Sequence, residues 1–515
     1  MWQGVRASHG RSISLISTPE PPATAVPAAP EPELLDTPQA GAVAVRGSVL
    51  RAGAYTASVL LGLVSAPLLI RHLGISAFGG YVAVLSLVTI VSGLTEAGLN
   101  AIAVREYATM QSAERARLMA NLLGVRLALG LVGVACAVAF AAAAGYSGGL
   151  VVGTALAGLG MVILMGQSLL TVPLQVELRL GWVSVLELLR QLVAVVFIVA
   201  LVLAGAGVTA FLATNIPAGV VVLAITAVLV RRRATPWPAF EVGTWWRLLR
   251  DTVPYAMAIA LNAMYLRLAI VVMSIVAVPL QTGYFATSFR IIEALIGIPA
   301  LLIGAGFPIL VRAVRDDHDR FAAAAARTFE LAVIAGCWMV VCLEIGAEIA
   351  IRIIGGADAE PAVPVLRIQA FALVATFVIV ACGFPLLAER RYREVLLANA
   401  VGVAASLALT LALVPVLDAQ GAAIATVGAE LALAAAVAFL LARSHRGVRL
   451  PWGSVPRIVL AAGGAAAAGL LAPVPAVAQA ILATAVYGLL LLLVGRFPPE
   501  LRHALAAPRR ARAGS

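Results

Sequence analysis

The sequence predicts an all-α polytopic membrane protein of about 14 transmembrane helices. Of its 515 residues, 62% are hydrophobic and 12% are charged, too few polar side chains to cover a soluble domain of this size. The apolar residues form uninterrupted stretches of about 20 residues, the length of helix that crosses a bilayer. Backbone polar groups must be satisfied internally in lipid, and the stretches do not alternate as barrel strands do. These segments are therefore predicted to be helices.

The apolar stretches define 14 predicted spans, numbered in chain order as spans 1 to 14. Their predicted limits are residues 50–70, 81–103, 119–143, 149–175, 183–203, 209–230, 255–279, 286–311, 329–353, 365–388, 395–415, 421–442, 458–474 and 477–495.

The arginines of the connecting loops predict how the spans are oriented. All 36 basic residues are arginine. Of these, 25 lie in the loops after even-numbered spans or in the C-terminal tail, whereas the loops after odd-numbered spans contain Arg71 alone. Because positively charged loops stay in the cytoplasm, we expect the even loops and both termini on the cytoplasmic side of the cell (inner) membrane.

Two halves of the chain repeat each other at long range. The pattern P-L-x-x-E-x-R occurs at Pro173–Arg179, where span 4 ends and a cytoplasmic loop begins, and again, 212 residues later, at Pro385–Arg391 at the end of span 10. Gly80–Tyr81 and Gly283–Tyr284 similarly open spans 2 and 8. Two parallel sets of six spans are a transporter architecture, in which the substrate pathway lies between the halves.

These features divide the chain into six predicted segments. The first is rich in Pro, Ala and Glu, has no hydrophobic signal region, and is predicted to be a disordered cytoplasmic tail. An N-lobe of spans 1–6, a cytoplasmic linker, a C-lobe of spans 7–12, spans 13–14 and a basic cytoplasmic tail follow. The limits, in order, are 1–45, 46–230, 231–254, 255–442, 458–495 and 496–515.

The composition argues against several functions. The net charge of +11 is dispersed over short loops without a basic domain, so no nucleic-acid partner is expected. Without lysine, a Walker A loop and Schiff-base chemistry are excluded. The four cysteines lie inside apolar stretches, with no metal-type spacing and no Ser/His/Asp or Cys/His set. We therefore expect no catalytic residues, no metal and no cofactor, and we expect that the protein is not an enzyme.

One stretch of the first half resembles a known family. Residues 74–81 read G-I-S-A-F-G-G-Y, and the second span closes on G-L-N-A-I-A-V-R-E at residues 98–106. Residues 51–107 are similar to the start of polysaccharide-biosynthesis (oligosaccharide) flippases, which belong to the multidrug/oligosaccharidyl-lipid/polysaccharide exporter superfamily. The resemblance implies 12 to 14 helices, in two six-helix lobes around a central cavity. It also implies that spans 13–14 form a lateral lipid groove, as in related lipid II flippases.

The resemblance implies a flippase or exporter of a polyprenyl-pyrophosphate-linked oligosaccharide, or of a related cell-envelope glycan precursor, that works by alternating access. Lipopolysaccharide or teichoic acid export would be such a role. The implied partners are the lipid-linked substrate, membrane lipids and polysaccharide assembly machinery. A lipid II flippase and a multidrug extrusion antiporter stay open as alternatives. The alternative from another class is a membrane-embedded glycan polymerase or ligase, which needs a catalytic base or metal site that the sequence does not offer.

Ionisable and polar residues inside the spans are the candidate cavity residues, because a charge at mid-membrane costs at least about 2.5–3.5 kcal/mol and faces a cavity or a partner. Arg267 in the middle of span 7 suits a lipid pyrophosphate, since guanidinium binds phosphate oxygens bidentately. Pairing with a buried carboxylate is its alternative. Arg290 and Glu293, near the outer end of span 8, are expected to pair. The remaining candidates are Glu96, Asn100, Arg51, Asn262 and Arg126.

Several of these candidates keep alternative interpretations. Glu96, one turn before Asn100 on span 2, is a partner for Arg267, a proton-carrying carboxylate or a packing group. Arg51 lines the cavity or extends to the cytoplasmic surface. Arg190 and Glu187 on span 5 form an intrahelical pair. Glu430, in the middle of span 12, and Glu96 are the candidate coupling carboxylates, and coupling to the membrane potential, H⁺ or Na⁺ is left undecided.

Overall fold

Almost all of the described chain is α-helical. The computed structural model describes residues 40–96, 99–110, 112–177, 179–231, 237–241, 243–246, 261, 264–265, 267–304, 306–316, 318–444 and 448–496, and these contain no β-strand. The predicted tail 1–45 lies outside the described residues up to residue 39, and its last six residues already belong to the first helix. Of the C-terminal tail, only Arg496 is described.

The first half contains the helices of spans 1 to 6. They are Ala40–Leu73 (span 1), Ile75–Glu96 (span 2), Leu99–Thr109, Ser112–Ala143 (span 3), Gly148–Leu170 with Val172–Val176 (span 4), Leu180–Leu203 (span 5), and Val208–Leu212 with Asn215–Val230 (span 6). The second half contains Arg267–Val276 (span 7), Pro279–Gly304 (span 8), Phe307–Asp316, His318–Gly355 (span 9), Ala362–Ala370 with Ala372–Ala388 (span 10), and Tyr392–Ala442 (spans 11 and 12). Val455–Leu471 and Ala476–Leu493 are spans 13 and 14.

Each predicted span corresponds to a helix in the described residues. Twelve described helices are long and apolar enough to cross a membrane, and the described part of span 7 is a shorter apolar helix. One of the twelve, Tyr392–Ala442, has 51 residues and would be about 75 Å long if straight, more than twice the hydrocarbon thickness. It bends at Asp418, whose backbone angles are φ 48° and ψ −129°, and so supplies two spans.

The internal repeat is visible in the backbone. After span 4, the amide of Glu177 donates to the carbonyl of Pro173 (3.0 Å), and the amide two residues on donates to the carbonyl of Leu174 (2.8 Å). At the end of span 10, the amide of Glu389 donates to the carbonyl of Pro385 (3.0 Å). The amide of Arg391 donates to the carbonyl of Leu386 (2.9 Å). The repeated P-L-x-x-E-x-R sequence therefore forms the same turn twice.

The helices pack as two groups. Spans 2 to 6 pack against one another in the first half, and spans 8 to 12 do so in the second. Spans 13 and 14 form a hairpin on span 9, where the indole of Trp338 donates to Thr484 (3.1 Å) and the hydroxyl of Tyr487 donates to the carbonyl of Ile334 (3.0 Å). Large apolar side chains on the outside, such as Leu203 and Leu471, are over 80% exposed, as a lipid-facing surface requires.

The linker between the halves is held by span 3. The amide of Ala239 donates to the carbonyl of Ala120 (2.8 Å), and the amide of Glu241 donates to Asn121 Oδ1 (3.2 Å). Arg117 forms an ion pair with Glu241 (2.9 Å), and this bond lowers the pKa of the Glu241 carboxyl. Gly124 permits the contact, because a Cβ there would lie 2.0 Å from the carbonyl oxygen of Ala239.

Candidate functional site

A cavity of about 270 Å³ lies between the two halves. Spans 1, 2, 5 and 6 line it from the first half, and spans 7 and 8 line it from the second. Among the described residues, three arginines and one glutamate face it, together with several polar uncharged side chains. The charged and polar lining residues are Arg190, Arg267, Arg290, Glu293, Ser65, Tyr81, Thr89, Gln191, Thr214 and Asn215.

The three arginines lie near mid-depth of the bundle. Arg267 is nine residues before Val276, where the helix of span 7 ends, and Arg290 is 11 residues after Pro279, where span 8 begins. At about 1.5 Å per helical residue, both are about 15 Å from that end, half of the roughly 30 Å hydrocarbon core. Arg190 is about 20 Å from the same end of span 5, at Leu203. None of the three therefore lies at a membrane surface.

Glu293 joins two of these arginines. Its Oε1 accepts a hydrogen bond from Arg267 Nη2 on span 7, and its Oε2 accepts one from Arg290 Nη1, 2.9 Å away on its own helix. The Arg267 guanidinium also lies over the ring of Phe289, 5.7 Å from the ring centre, and Arg290 Nη2 donates to the carbonyl of Gly62 on span 1 (3.4 Å). The expected Arg290–Glu293 pair is therefore present, and it includes Arg267.

Two sequence-based interpretations are corrected by these contacts. Arg267 pairs with Glu293 and not with Glu96, because Glu96 pairs with Arg126 of span 3 (2.9 Å). Arg290 and Glu293 lie in mid-span and not near the outer end, because span 8 begins at Pro279, seven residues before its predicted start. Thr282 and Gly283 lower the mean hydropathy of this segment, so the apolar stretch was predicted to begin later. Both residues are nevertheless buried in a helix contact.

The other candidates lie elsewhere. Arg126 is 1% exposed and is not among the cavity-lining residues, and Asn100 lies in the helix Leu99–Thr109 beyond the cavity lining. Asn262 and the side chain of Arg51 lie outside the described residues. Glu430 faces a second, smaller cavity within the second half, where the hydroxyl of Thr376 donates to its Oε2 (3.2 Å) and Tyr265 lines the same space.

The two halves touch at one end of the bundle, which we call the outer end after the predicted orientation. Span 2 and span 8 cross at Gly79 and Gly283, where a Cβ on Gly79 would lie 2.6 Å from the Gly283 nitrogen. Arg71 Nη2 donates to the carbonyls of Arg352 and Ile353 at the end of span 9 (3.1 and 2.9 Å). The two glycines let the backbones of spans 2 and 8 approach closely. Together with the Arg71 bonds, this contact holds the halves together on the outer side of the cavity.

Sequence reasoning did not assign Arg190 to the cavity. Its pair with Glu187 is present (2.5 Å), as expected, but the same guanidinium also lines the cavity beside Gln191. The ionisable position inside span 5 was the available signal. Asn215 and Thr89 carried no comparable signal, because neutral polar residues are common inside spans.

A two-halved helical bundle with arginines that face a cavity between the halves, away from the helix ends, is the architecture of a membrane transporter. The family described as "Polysaccharide biosynthesis protein" matches residues 44–314, more than half of the sequence, and the chain belongs to that family. A comparison with curated proteins found no sequence match.

Solved structures share the fold. One is described as "Lipid II flippase MurJ, inward closed conformation", with a TM-score of 0.74 at 12% identity, over 87% of this chain and 99% of that chain. A multidrug resistance MATE family transporter of the MOP superfamily, in its inward-facing conformation, has a TM-score of 0.61 at 15% identity, over 76% and 94%. A MATE family transporter in its outward-facing conformation has 0.53 at 15%, over 78% and 95%. These identities establish a shared fold.

Proposed function

We propose that the protein is a flippase that moves a polyprenyl-pyrophosphate-linked oligosaccharide, or a related cell-envelope glycan precursor, across the cytoplasmic membrane by alternating access. The observation on which this proposal rests is that the two halves direct three guanidinium groups into one mid-membrane cavity. A guanidinium group binds two phosphate oxygens at once through two parallel hydrogen bonds, and such bonds are strong in a low-dielectric cavity. Membership of a polysaccharide biosynthesis family supports a glycan as the rest of the headgroup.

The lipid part of the substrate stays in the bilayer in this proposal. An apolar groove of about 720 Å³ lies at the lipid-facing surface between spans 8, 9 and 14, lined by Leu302, Leu331, Trp338, Tyr487 and Leu491 among others. We assign a segment of the prenyl chain to it, since the groove is built almost entirely from apolar side chains. Span 14, outside the repeat, contributes one wall of the groove.

The charge of the cavity favours some substrates over others. A multidrug antiporter for organic cations would need acidic side chains, whereas three of the four charged residues that line the cavity in the described part of the chain are arginines. Lipid II, which the description of the MurJ structure names as the substrate of that flippase, carries the same polyprenyl pyrophosphate. It is the second candidate substrate. The two differ in the sugar, so the same assay with each lipid distinguishes them.

Replacing Arg267 with alanine is expected to reduce translocation of the lipid-linked probe. One lost charge-assisted bond to phosphate is worth about 1.5–3 kcal/mol, which is about a 10- to 150-fold weaker affinity. The measurement is the appearance of a fluorescent polyprenyl-pyrophosphate-linked disaccharide in the opposite leaflet of proteoliposomes that contain the full chain. Arg105→Ala, which removes an exposed guanidinium paired with its neighbour Glu106, is the matched control.

Unchanged translocation by the Arg267→Ala protein, at equal reconstitution, would overturn the anion-site assignment. The recovered lipid is also analysed by mass. A probe whose glycan has become longer or shorter would replace the flippase proposal with a glycan polymerase or ligase.

The direction of transport follows from the orientation we propose, with the even loops and both termini in the cytoplasm. An inside-negative potential favours outward movement of an anionic headgroup by about 2.3 kcal/mol per charge per 100 mV if the full field is crossed. Thiol labelling of intact cells at an even-loop and an odd-loop cysteine tests that orientation.

We propose further that Glu430 couples transport to H⁺ or Na⁺. Its carboxylate is 4% exposed, deep in the second half, with Thr376 as its hydrogen-bond donor. Glu430→Gln preserves size and hydrogen bonding, so binding of the probe should persist. The stimulation of transport by an imposed proton or sodium gradient, at a clamped membrane potential, should be lost. Glu344→Gln, which changes a carboxylate paired with Arg367, is the control. A gradient response that survives in Glu430→Gln would exclude this role.

A further inference from the structure

The cavity contains its own anion. Glu293 is the one carboxylate among the described residues that line it, and its two oxygens are taken by two different arginines, one from span 7 and one from span 8. A phosphoryl group also presents two or more oxygens that a pair of guanidinium groups can bind. The Glu293 carboxylate therefore occupies the position at which Arg267 and Arg290 would together hold a phosphate.

Glu293 and a bound phosphate compete for the same donors. With the carboxylate in place, Arg267, Arg290 and Glu293 carry a net charge of +1, and each guanidinium group gives one of its nitrogen donors to the carboxylate. When the carboxylate moves aside, the two arginines present a charge of +2 and their donor faces to the cavity. The side chain of Glu293 is 28% exposed at the cavity wall, so it is not locked inside the protein.

We propose that Glu293 is a displaceable internal counter-anion, which holds Arg267 and Arg290 while the cavity is empty and releases them to the phosphate of the transported headgroup. This inference rests on the proposed function and adds how the site discriminates and unloads. A weakly binding anion does not displace the carboxylate, whereas a pyrophosphate does. After transport, re-formation of the Arg267–Glu293 bond between spans 7 and 8 expels the headgroup.

The arginines have a contact that persists without Glu293. Arg290 keeps its bond to the Gly62 carbonyl, and Arg267 keeps the face of Phe289. In the described part of the chain, the other titratable groups that line the cavity are Tyr81 and Arg190, which has its own partner Glu187. A neutral residue at position 293 therefore leaves the guanidinium groups positioned and raises the positive charge available to a ligand.

The test uses Glu293→Gln in the full chain, with inorganic pyrophosphate and the lipid-linked disaccharide as separate probes. We expect Glu293→Gln to bind inorganic pyrophosphate at least tenfold more tightly than the unmodified protein. We also expect it to show a lower KM for the lipid-linked probe together with a lower maximal rate, because release becomes slow. Glu293→Asp retains the charge but is one methylene shorter, so its affinity should fall between the two. Glu344→Gln is the control for loss of an intramembrane carboxylate elsewhere.

A purely structural role for Glu293 predicts the opposite result. Equal or weaker pyrophosphate binding by Glu293→Gln, with a melting temperature near that of the unmodified protein, overturns the proposal; if Glu293→Gln does not fold, the same comparison is made with Glu293→Asp. If Arg267→Ala weakens binding and removal of the Glu293 carboxylate does not tighten it, the counter-anion role fails while the proposed function stands. Tightening for inorganic pyrophosphate alone supports the counter-anion and overturns its connection to a lipid-linked headgroup. If none of the proteins binds either probe, both proposals fail.

Discussion

Gly283→Ala is expected to separate the two halves at the outer end and to reduce transport strongly. A Cβ at this position would lie 2.1 Å from the carbonyl oxygen of Ile75 and 2.7 Å from its carbonyl carbon. Both are backbone atoms at the start of span 2, so no side-chain rotation relieves the clash. Alanine is a better helix former than glycine by about 1 kcal/mol, so weakening of span 8 itself would not explain a loss.

The size of the effect follows from the cost of overpacking. A clash of this kind costs about 1–3 kcal/mol, which displaces a two-state equilibrium about 5- to 150-fold. Alternating access requires a state in which the outer end is closed, and the clash is present only in that state. The variant should therefore populate an outer-open conformation and transport the lipid-linked probe at least about fivefold more slowly.

Distances between spin labels at Ala144 and Val278, one on each half, measure the separation directly. These positions flank the hydrogen bond between Tyr146 and Ser274 (2.5 Å), which also joins the halves. Gly346→Ala is the control, because a Cβ there meets nothing within 4 Å.

An unchanged distance distribution in Gly283→Ala, with normal transport, would show that the Gly79–Gly283 contact does not govern closure. Arg71→Ala, which loses only two exposed hydrogen bonds, should shift the distances less.

The spans could be predicted from the sequence because lipid imposes a single rule on them. An apolar stretch of about 20 residues must become a helix in hydrocarbon, and 13 of the 14 predicted spans lie in the 12 described helices that are long enough to cross a membrane, two of them in the kinked helix Tyr392–Ala442. Span 7 is described only in part. The starts of spans 2 and 8 were placed late for a physical reason. Gly79, Gly80, Thr282 and Gly283 are poor in hydropathy, but they allow two helices to cross closely.

The site was only partly predictable, because sequence spacing specifies the face of a helix and not its neighbour. Arg290 and Glu293 are three residues apart, and their pairing follows from helix geometry alone. The participation of Arg267 depends on which side of span 7 packs against span 8, which no local pattern encodes. Glu96 was assigned no definite partner for the same reason, and the structure gives it Arg126 from span 3.

The Arg126–Glu96 pair predicts the second large effect, one on stability. Arg126 is 1% exposed in span 3, and its one ion pair among the described residues is with Glu96, itself 41% exposed. Its Nε and Nη1 atoms have no hydrogen-bond partner in the part of the chain that the structure describes. Removing one partner of a buried pair leaves an uncompensated charge, which costs about 3–5 kcal/mol, a large fraction of a typical stability of about 5–15 kcal/mol.

Glu96→Ala should therefore reduce the yield and melting temperature of the detergent-solubilised protein sharply. Arg126→Met should be much milder, because the exposed Glu96 carboxylate can be hydrated and methionine fills the space of the arginine stem. The double variant should melt above Glu96→Ala, since it buries no unpaired charge. Equal stability of Glu96→Ala and the unmodified protein would show that Arg126 has other compensation. If the double variant transports with its gradient response intact, Glu96 serves the fold of the first half, and Glu430 is the remaining coupling candidate.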